Sequence, residues 1–155
     1  MKKLVYAMHF TGQTSRHVDD SELWRTTGSA TSSVMTTLIL PTGVQTSLKA
    51  SQGELAFVES ELRLSAPGTF LENGEISFGD ESNHALRFST LGHGYIEKDL
   101  EPGVMAGTAS WKVEGGTGQF TGAQGFITSN FTINESGERS DFHCGLIFVP
   151  EQEDS

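Results

Sequence analysis

Residues 107–125 read GTASWKVEGGTGQFTGAQG, an alternating segment followed directly by a glycine-rich connection. Ala109, Trp111 and Val113 alternate with polar residues, which is typical of a strand with one face in a hydrophobic core. The connection does not end in Gly-Lys-Ser/Thr and no helical pattern follows it, so a phosphate-binding loop is excluded. The segment therefore predicts a strand whose Trp111 points inward, followed by a glycine-rich turn with Phe120 as its large apolar anchor.

The same pattern of short strands and turn residues recurs along the whole chain. It predicts about eight to ten strands, at residues 4–11, 23–40 (one bent strand or two, broken near Gly28), 45–50, 54–64, 74–78, 84–90, 92–97, 107–114, 125–134 and 141–149. One helical turn is possible within residues 16–24. Closing such an antiparallel sheet removes its exposed edges, so we expect an all-β fold with a closed, roughly eight-stranded barrel. A β-sandwich is the alternative.

Length and charge limit the partners of the chain. Its 155 residues suit one domain, which we place at residues 1–150, with an acidic tail at 151–155. The chain has 10 basic and 20 acidic residues, a formal net charge of −10. No basic stripe for nucleic acid is present, and no segment has the ~18 apolar residues of a membrane span, so neither nucleic-acid binding nor membrane insertion is expected.

Cysteine and histidine usage bears on localisation and on metal binding. The single cysteine, Cys144, cannot form an internal disulfide, and the apolar run at residues 4–8 is too short for a signal peptide, so a cytoplasmic location is expected. Among the five histidines no pair has the spacing of a known zinc motif, and we expect no metal site.

The glycine-rich motif also suggests a family. Gly-Gly-Thr-Gly-x-Phe-x-x-Ala-x-Gly at residues 115–125 resembles the motif of the allene oxide cyclase and dirigent-like barrels, and the similarity is clearest over 103–149. The resemblance implies an eight-stranded barrel, often dimeric or trimeric, whose apolar cavity folds and cyclises a reactive small molecule without a cofactor. The plant cyclase has an acidic residue on its first strand, where this chain has Ala7, with His9 nearby. The plant reaction itself is therefore not implied.

Ionisable side chains that share a face with apolar residues are the candidate catalysts. In 54–64, Glu59 follows Leu55 and Phe57 on one face, and a carboxyl group in a cavity can act as a general acid or base. The alternative is that strand twist brings Glu59 or its neighbour Glu61 to the rim or into pairing with an arginine. His9 and His84 lie on similar faces and are further candidates, although such histidines are more often structural.

Aromatic residues are the candidate substrate-binding groups, and they are Tyr6, Trp24, Phe57, Tyr95 and Trp111. Two functions follow: an isomerase or cyclase acting on a small, hydrophobic, unsaturated molecule inside the barrel cavity, or a barrel that only binds or carries such a molecule. An ionisable group within reach of the ligand favours the enzyme, and a wholly apolar lining favours the carrier. The absence of any cavity of ~300 Å³ or more would instead indicate a solidly packed structural barrel.

The last strand suggests self-association. Phe142, Cys144, Leu146 and Phe148 lie on one face of residues 141–149, and Ile147 and Val149 lie on the other. Because both faces carry apolar groups, the strand is expected to be covered on both sides, as in a homo-oligomer, either a dimer or a trimer.

Overall fold

A computed structural model describes residues 1–151 of the chain. The acidic tail predicted at 151–155 therefore lies almost wholly outside the described residues. The strands are β1 (Lys2–His17), β2 (Asp20–Ala30), β3 (Ser33–Leu40), β4 (Gly43–Ala50), β5 (Ala56–Leu64), β6 (Thr69–Phe78), β7 (His84–Thr90), β8 (Gly94–Lys98), β9 (Met105–Thr117), β10 (Gln124–Ile133) and β11 (Glu138–Val149). One turn of 3-10 helix, Gly118–Phe120, is the only helical element in this range.

Eight of the strands close into an antiparallel barrel. The order around it is β1, β2, β5, β6, β7, β9, β10 and β11, and β11 pairs again with β1 from Lys2↔Val149 to Gln13↔Glu138. The ninth strand of this sheet, β8, pairs with β9 and with the start of β6. The predicted all-β barrel is confirmed, and the sandwich alternative is wrong.

The remaining two strands form a separate hairpin, which we call the arm (residues 33–50). β3 and β4 pair only with each other, from Ser33↔Ala50 to Leu40↔Gly43. The predicted strand at 23–40 therefore breaks after Ala30 rather than near Gly28. The reason is that β2 stays paired with β5 as far as Ala30↔Ala56.

The possible helical turn at residues 16–24 is absent, because this segment is the hairpin between β1 and β2. Arg16 pairs with Trp24 and His17 with Asp20, with an irregularity in the register between the two pairs.

Inward-pointing side chains fill the barrel in strict alternation. In β10 every second residue is buried, and Ile127 and Phe131 pack in the core. Trp111 is 1% exposed and stacks on Phe88, with 3.8 Å between ring centroids, so the predicted inward orientation of this tryptophan is confirmed.

The glycine-rich segment forms the connection between β9 and β10. Phe120 is buried as its anchor, as predicted, and the Gly115 N–H donates to Ala123 O at 3.0 Å. Gly118 has a φ of +59°, and a Cβ there would lie 2.2 Å from the backbone oxygen of Asn83. The motif thus packs the turn tightly against the start of β7.

No helix within residues 1–151 has the length and apolar character needed to cross a membrane.

Close approach of β1 and β2 depends on a glycine at position 12. Gly12 lies opposite Gly28, and a Cβ on Gly12 would come within 1.9 Å of the Thr27 backbone oxygen. Backbone atoms cannot move aside as a flexible side chain can. We expect Gly12→Ala to lower the free energy of unfolding by about 1–3 kcal/mol, measured by urea denaturation. The neighbouring exposed Thr11→Ala is the control, and equal stability of both variants and the wild type would contradict this account.

Candidate functional site

Four ionisable side chains meet inside the barrel, and we call them the interior cluster: Glu72, Arg139, Asp141 and His143. None is more than 4% exposed. Three of them lie on β11, where alternation turns residues 139, 141 and 143 inward, and β6 contributes Glu72. Buried charges require partners, so each contact within this cluster bears on both stability and chemistry.

Arg139 holds the two carboxylates together. Its Nη2 donates to Asp141 Oδ2 at 2.9 Å, and its Nη1 lies 3.3 Å from Glu72 Oε2 and donates to Thr26 Oγ1 at 3.1 Å. Its guanidinium carbon lies 4.0 Å from the centre of the Phe131 ring. Burial by itself would lower the pKa of Arg139, but the charges of Glu72 and Asp141 raise it, so the guanidinium stays charged.

Asp141 is held in its ionised form. Burial by itself would raise its pKa, but the close approach of His143, together with Arg139 and Ser129, brings the pKa well below the usual range. Ser129 Oγ lies 2.8 and 2.9 Å from the two carboxylate oxygens and donates to them. Asp141 is thus a fixed negative charge in the centre of the barrel.

Tyr6 and His143 extend the cluster toward the barrel wall. The Tyr6 hydroxyl is hydrogen-bonded to His143 Nδ1 at 3.0 Å, and His143 Nε2 lies 3.2 Å from Asp141 Oδ2. Burial first, and then the negative charge of Asp141, raise the pKa of Tyr6 well above its usual value, so its hydroxyl keeps its proton. We call this chain of three groups the relay: Tyr6, His143 and Asp141.

The formal charge of the interior cluster depends on His143. Two carboxylates and one guanidinium sum to −1, and a second proton on the imidazole makes the sum zero. The ring is enclosed by Phe10 and Trp111, whose centroids lie 4.6 and 4.8 Å away. A second proton on His143 would therefore have no direct contact with bulk water. Its positive charge would be offset by the carboxylates within the barrel.

The enclosed space beside the interior cluster is small. Its volume is about 10 Å³, room for one water molecule, and its lining includes Phe10, Trp111 and three members of the cluster, Glu72, Arg139 and Asp141. Four buried polar atoms in the described chain have no hydrogen-bond partner: Glu72 Oε1, Trp111 Nε1, Arg139 Nε and His143 Nε2. The centre of the barrel is thus polar, but it does not contain a cavity of ~300 Å³ suited to a ligand.

A larger pocket lies at the barrel wall, along an unpaired edge of β1. β11 pairs with one edge of β1 from Lys2 onward, but β2 occupies the other edge only from Thr11. At this open edge the arm begins, where Ser33 Oγ donates to Ala7 O at 3.3 Å. The pocket here, which we call the slot pocket, has a volume of about 390 Å³.

Tyr6 connects the slot pocket to the relay. The residues around it in the pocket include Met8, Glu54, Ala56, Phe78 and His84. The rings of Tyr6 and Phe78 pack edge to face with 6.3 Å between centroids, while the Tyr6 hydroxyl is bonded to His143 on the inner side. A molecule in the slot pocket would therefore lie beside the outer end of the relay.

Two predicted site residues on β5 lie on the outer side of the barrel wall and not in its interior. Ala56, Val58, Ser60 and Leu62 face inward, so Phe57 and Glu59 face outward. Phe57 is 36% exposed and Glu59 lines an open groove on the outer wall. The prediction of an interior Glu59 is wrong because both faces of this strand carry apolar residues, and alternation alone could not choose between them. Its neighbour Glu61 is also outside, 3.5 Å from Arg25.

His9 and Tyr95 are also outside the barrel. The His9 ring stacks on Phe142 at 4.2 Å, and its Nε2 is hydrogen-bonded to Ser140 Oγ at 2.8 Å. Tyr95 is 63% exposed. Neither residue is among those that line the slot pocket or form the interior cluster.

The other predicted residues are placed as follows. His84 is exposed, where its Nδ1 accepts the Gln119 N–H at 2.9 Å, but it lines the slot pocket together with Tyr6. Trp24 is buried and lines a different pocket, with Met105 and Ile133. Of the eight predicted site residues, the structure thus brings Tyr6 and His84 to one pocket and Trp111 to the interior cluster.

Sequence reasoning missed all four members of the interior cluster as functional candidates. A signal existed for three: Arg139, Asp141 and His143 alternate, in register with the inward apolar residues Ile147 and Val149. Three ionisable groups in succession on a core face are expensive to bury unless they pair with one another. Nothing near Glu72 in the sequence shows that it belongs with them.

Within residues 1–151, no group of three or more histidine, cysteine, aspartate or glutamate side chains could hold a metal ion.

Comparison of the chain with protein-family models, with curated proteins and with solved structures finds no match in any of the three. The resemblance of residues 115–125 to the allene oxide cyclase and dirigent-like barrels therefore stays a prediction.

The pKa of Asp141 predicts how stability depends on acid. Because Asp141 ionises at lower pH in the folded protein than in the unfolded chain, it stabilises the fold above the usual aspartate pKa of about 4, and this stabilisation is lost as the pH falls further. Asp141→Asn should unfold with a free energy lower by about 3–5 kcal/mol at pH 7 and should show a smaller decrease in stability toward pH 2. Urea denaturation at several pH values measures both.

The control is Asp20→Asn, which breaks an exposed ion pair with Arg63. Its free energy of unfolding at pH 7 should stay close to that of the wild type. If Asp141→Asn does not fold, Ser129→Ala, which removes one hydrogen bond to the same carboxylate, should give an intermediate loss. Wild-type stability of Asp141→Asn at pH 7 would contradict the arrangement.

The raised pKa of Tyr6 predicts the behaviour in alkali. The chain has two tyrosines, so Tyr95→Phe leaves Tyr6 as the only one. Since the unfolded chain releases the tyrosine proton near pH 10 and the folded protein does not, stability should fall above that pH. In Tyr95→Phe, tyrosinate absorbance should appear only together with loss of the near-ultraviolet circular dichroism. Tyrosinate forming in the still-folded variant would refute the buried position of the hydroxyl.

Proposed function

We propose that the protein is an acid–base isomerase or cyclase that acts on a small, unsaturated, hydrophobic molecule bound in the slot pocket. The observation that carries this proposal is the position of Tyr6, which lines a pocket of about 390 Å³ on one side and is hydrogen-bonded to a buried histidine–aspartate pair on the other. Pockets that bind small molecules commonly have volumes of about 300–1,000 Å³.

The relay supplies the proton transfer that an isomerisation needs. When His143 carries both ring protons, Nδ1–H donates to the Tyr6 oxygen, and the hydroxyl proton is free to pass to a substrate group that enters past the Tyr6 ring from the slot pocket. As Tyr6 gives this proton to a substrate atom that gains negative charge, Tyr6 recovers one from His143. Another substrate atom then loses a proton to Tyr6, and Tyr6 passes a proton back to His143. The reaction therefore consumes no net proton.

The charges of the interior cluster favour this exchange. Asp141 lies 3.2 Å from His143 Nε2 and stabilises the imidazolium, and Arg139 keeps Asp141 ionised. These groups are fixed in a region without bulk water, where oriented charges act more strongly than in solution. The acid–base role that the sequence predicts for Glu59 thus belongs in this proposal to Tyr6, with His143 and Asp141 behind it.

The walls of the slot pocket suit an apolar substrate. Met8, Ala56 and Phe78 present hydrocarbon and aromatic surface next to Tyr6. Such walls restrict the conformations of an unsaturated chain and can bring its reacting atoms together, which is a large part of catalysis in an intramolecular ring closure. Since the centre of the barrel accommodates only one water molecule, the substrate is placed at the wall and not within the barrel.

A hydrophobic carrier is the competing function, and the ionisable relay at the pocket favours the enzyme over it. The two are separated by incubating the protein with a polyunsaturated fatty-acid epoxide and analysing the products by chiral chromatography. The wild type should convert the epoxide to an isomeric product in which one stereoisomer is in excess. Epoxide bound but unchanged would support the carrier and overturn the enzyme.

Replacement of the tyrosine hydroxyl tests the relay directly. Tyr6→Phe keeps the ring that packs on Phe78, and should lower turnover of the epoxide about a hundredfold or more, as for other acid–base groups. The matched control is Tyr95→Phe, which removes the hydroxyl of an exposed tyrosine and should leave turnover unchanged. Equal turnover in Tyr6→Phe and the wild type would exclude the relay from the reaction.

A further inference from the structure

One face of the arm is apolar and uncovered. Met35 lies opposite Leu48, and Ile39 opposite Val44, so the four side chains share a face, which we call the arm face. Ile39 is 79% exposed, and Met35 and Val44 are at least half exposed. A two-stranded hairpin alone is at best marginally stable in water, and no barrel strand of the described chain extends this one.

The barrel wall carries a second uncovered apolar surface, which we call the wall patch: Val5, Phe126, Phe142 and Leu146. Val5 pairs with Leu146 and Leu146 with Phe126, so three of the residues form one row across β1, β11 and β10. Val5 is 72% exposed, and the other three are also exposed. The wall patch is thus an exposed apolar area on the outer barrel wall.

The arm face and the wall patch differ in charge from the rest of the molecule. Residues 33–50 contain no aspartate or glutamate, and their only charged residue is Lys49. The outward-facing residues of β11 from Ser140 to Phe148 include no acid, and neither β1 nor β10 contains one. In a chain with a net charge of −10, two copies repel each other over most of their surfaces, and these two faces are where such repulsion is least.

We propose that the arm face of one copy packs on the wall patch of a second copy, and that the reverse contact forms in the same dimer. The arm leaves its own barrel next to the wall patch, where Ser33 is bonded to Ala7 O, yet both surfaces stay exposed within one chain. Eight extended residues span roughly 26 Å, so the arm is long enough to reach a neighbouring barrel. This exchange gives a closed, two-fold symmetric assembly.

The proposal is tested by sedimentation equilibrium of the full chain. The wild type should form a dimer in the micromolar range. Ile39→Asp on the arm face and Phe126→Asp on the wall patch should each weaken self-association by about a hundredfold or more, because each buries a carboxylate against apolar groups. The control is Val18→Asp at the turn between β1 and β2, where Val18 is 98% exposed, and it should dimerise like the wild type.

Cys144 provides an independent readout. It is the only cysteine of the chain, is exposed, and lies between Phe142 and Leu146 on the outer side of β11. Dimerisation should cover it, so alkylation of Cys144 by iodoacetamide should be slow in the concentrated wild type. Alkylation should be several-fold faster in Ile39→Asp at the same concentration.

The outcomes are clear because all three substituted side chains are exposed and each variant should keep the wild-type circular dichroism. A wild type that stays monomeric at all concentrations overturns the proposal, as does a dimer that survives both aspartate variants. Binding of the arm by a different protein, with no self-association, also overturns it. The proposal does not depend on the reaction at the slot pocket.

Discussion

An arginine buried inside a small barrel is the constraint on which the rest of this structure depends. The guanidinium of Arg139 cannot leave water unless carboxylates meet it, and Glu72 and Asp141 approach it at 3.3 and 2.9 Å from two different strands. Because β6 and β11 lie far apart in the chain, the contact between Glu72 and Arg139 forms only when the barrel closes. The interior cluster thus ties the pairing of buried charges to the correct strand order.

The same constraint explains why chemistry is expected at the wall and not in the centre. Charge pairing and large aromatic groups such as Trp111 fill the middle of the barrel, leaving space for one water molecule. One opening in the wall lies where β1 lacks a partner on one edge, and Tyr6 lies at that opening. A closed barrel with one incomplete edge therefore combines a rigid set of buried charges with an accessible pocket.

Much of the fold could be predicted from the sequence, because strand alternation and turn residues are local signals. Trp111 and Phe120 were placed correctly for this reason. The site could not, since it is assembled from strands that are distant in sequence, and the inward side of a strand such as β5 depends on its neighbours. Glu59 lies on the outer face of β5, opposite to the face that the sequence predicts. The alternation of Arg139, Asp141 and His143 is visible in the sequence, but alternation alone does not show that they meet Glu72 or Tyr6.

The central claim is that Tyr6 links the wall pocket to the buried histidine–aspartate pair, and the ring nitrogens of His143 report on it most directly. Nuclear magnetic resonance of protein with ¹⁵N-labelled histidine can follow all five imidazole rings in the wild type and in Tyr6→Phe. The account predicts that the Nδ1 resonance of His143 shifts when the tyrosine hydroxyl is removed, while the other four histidines keep their spectra. An unchanged His143 Nδ1 resonance would contradict the link.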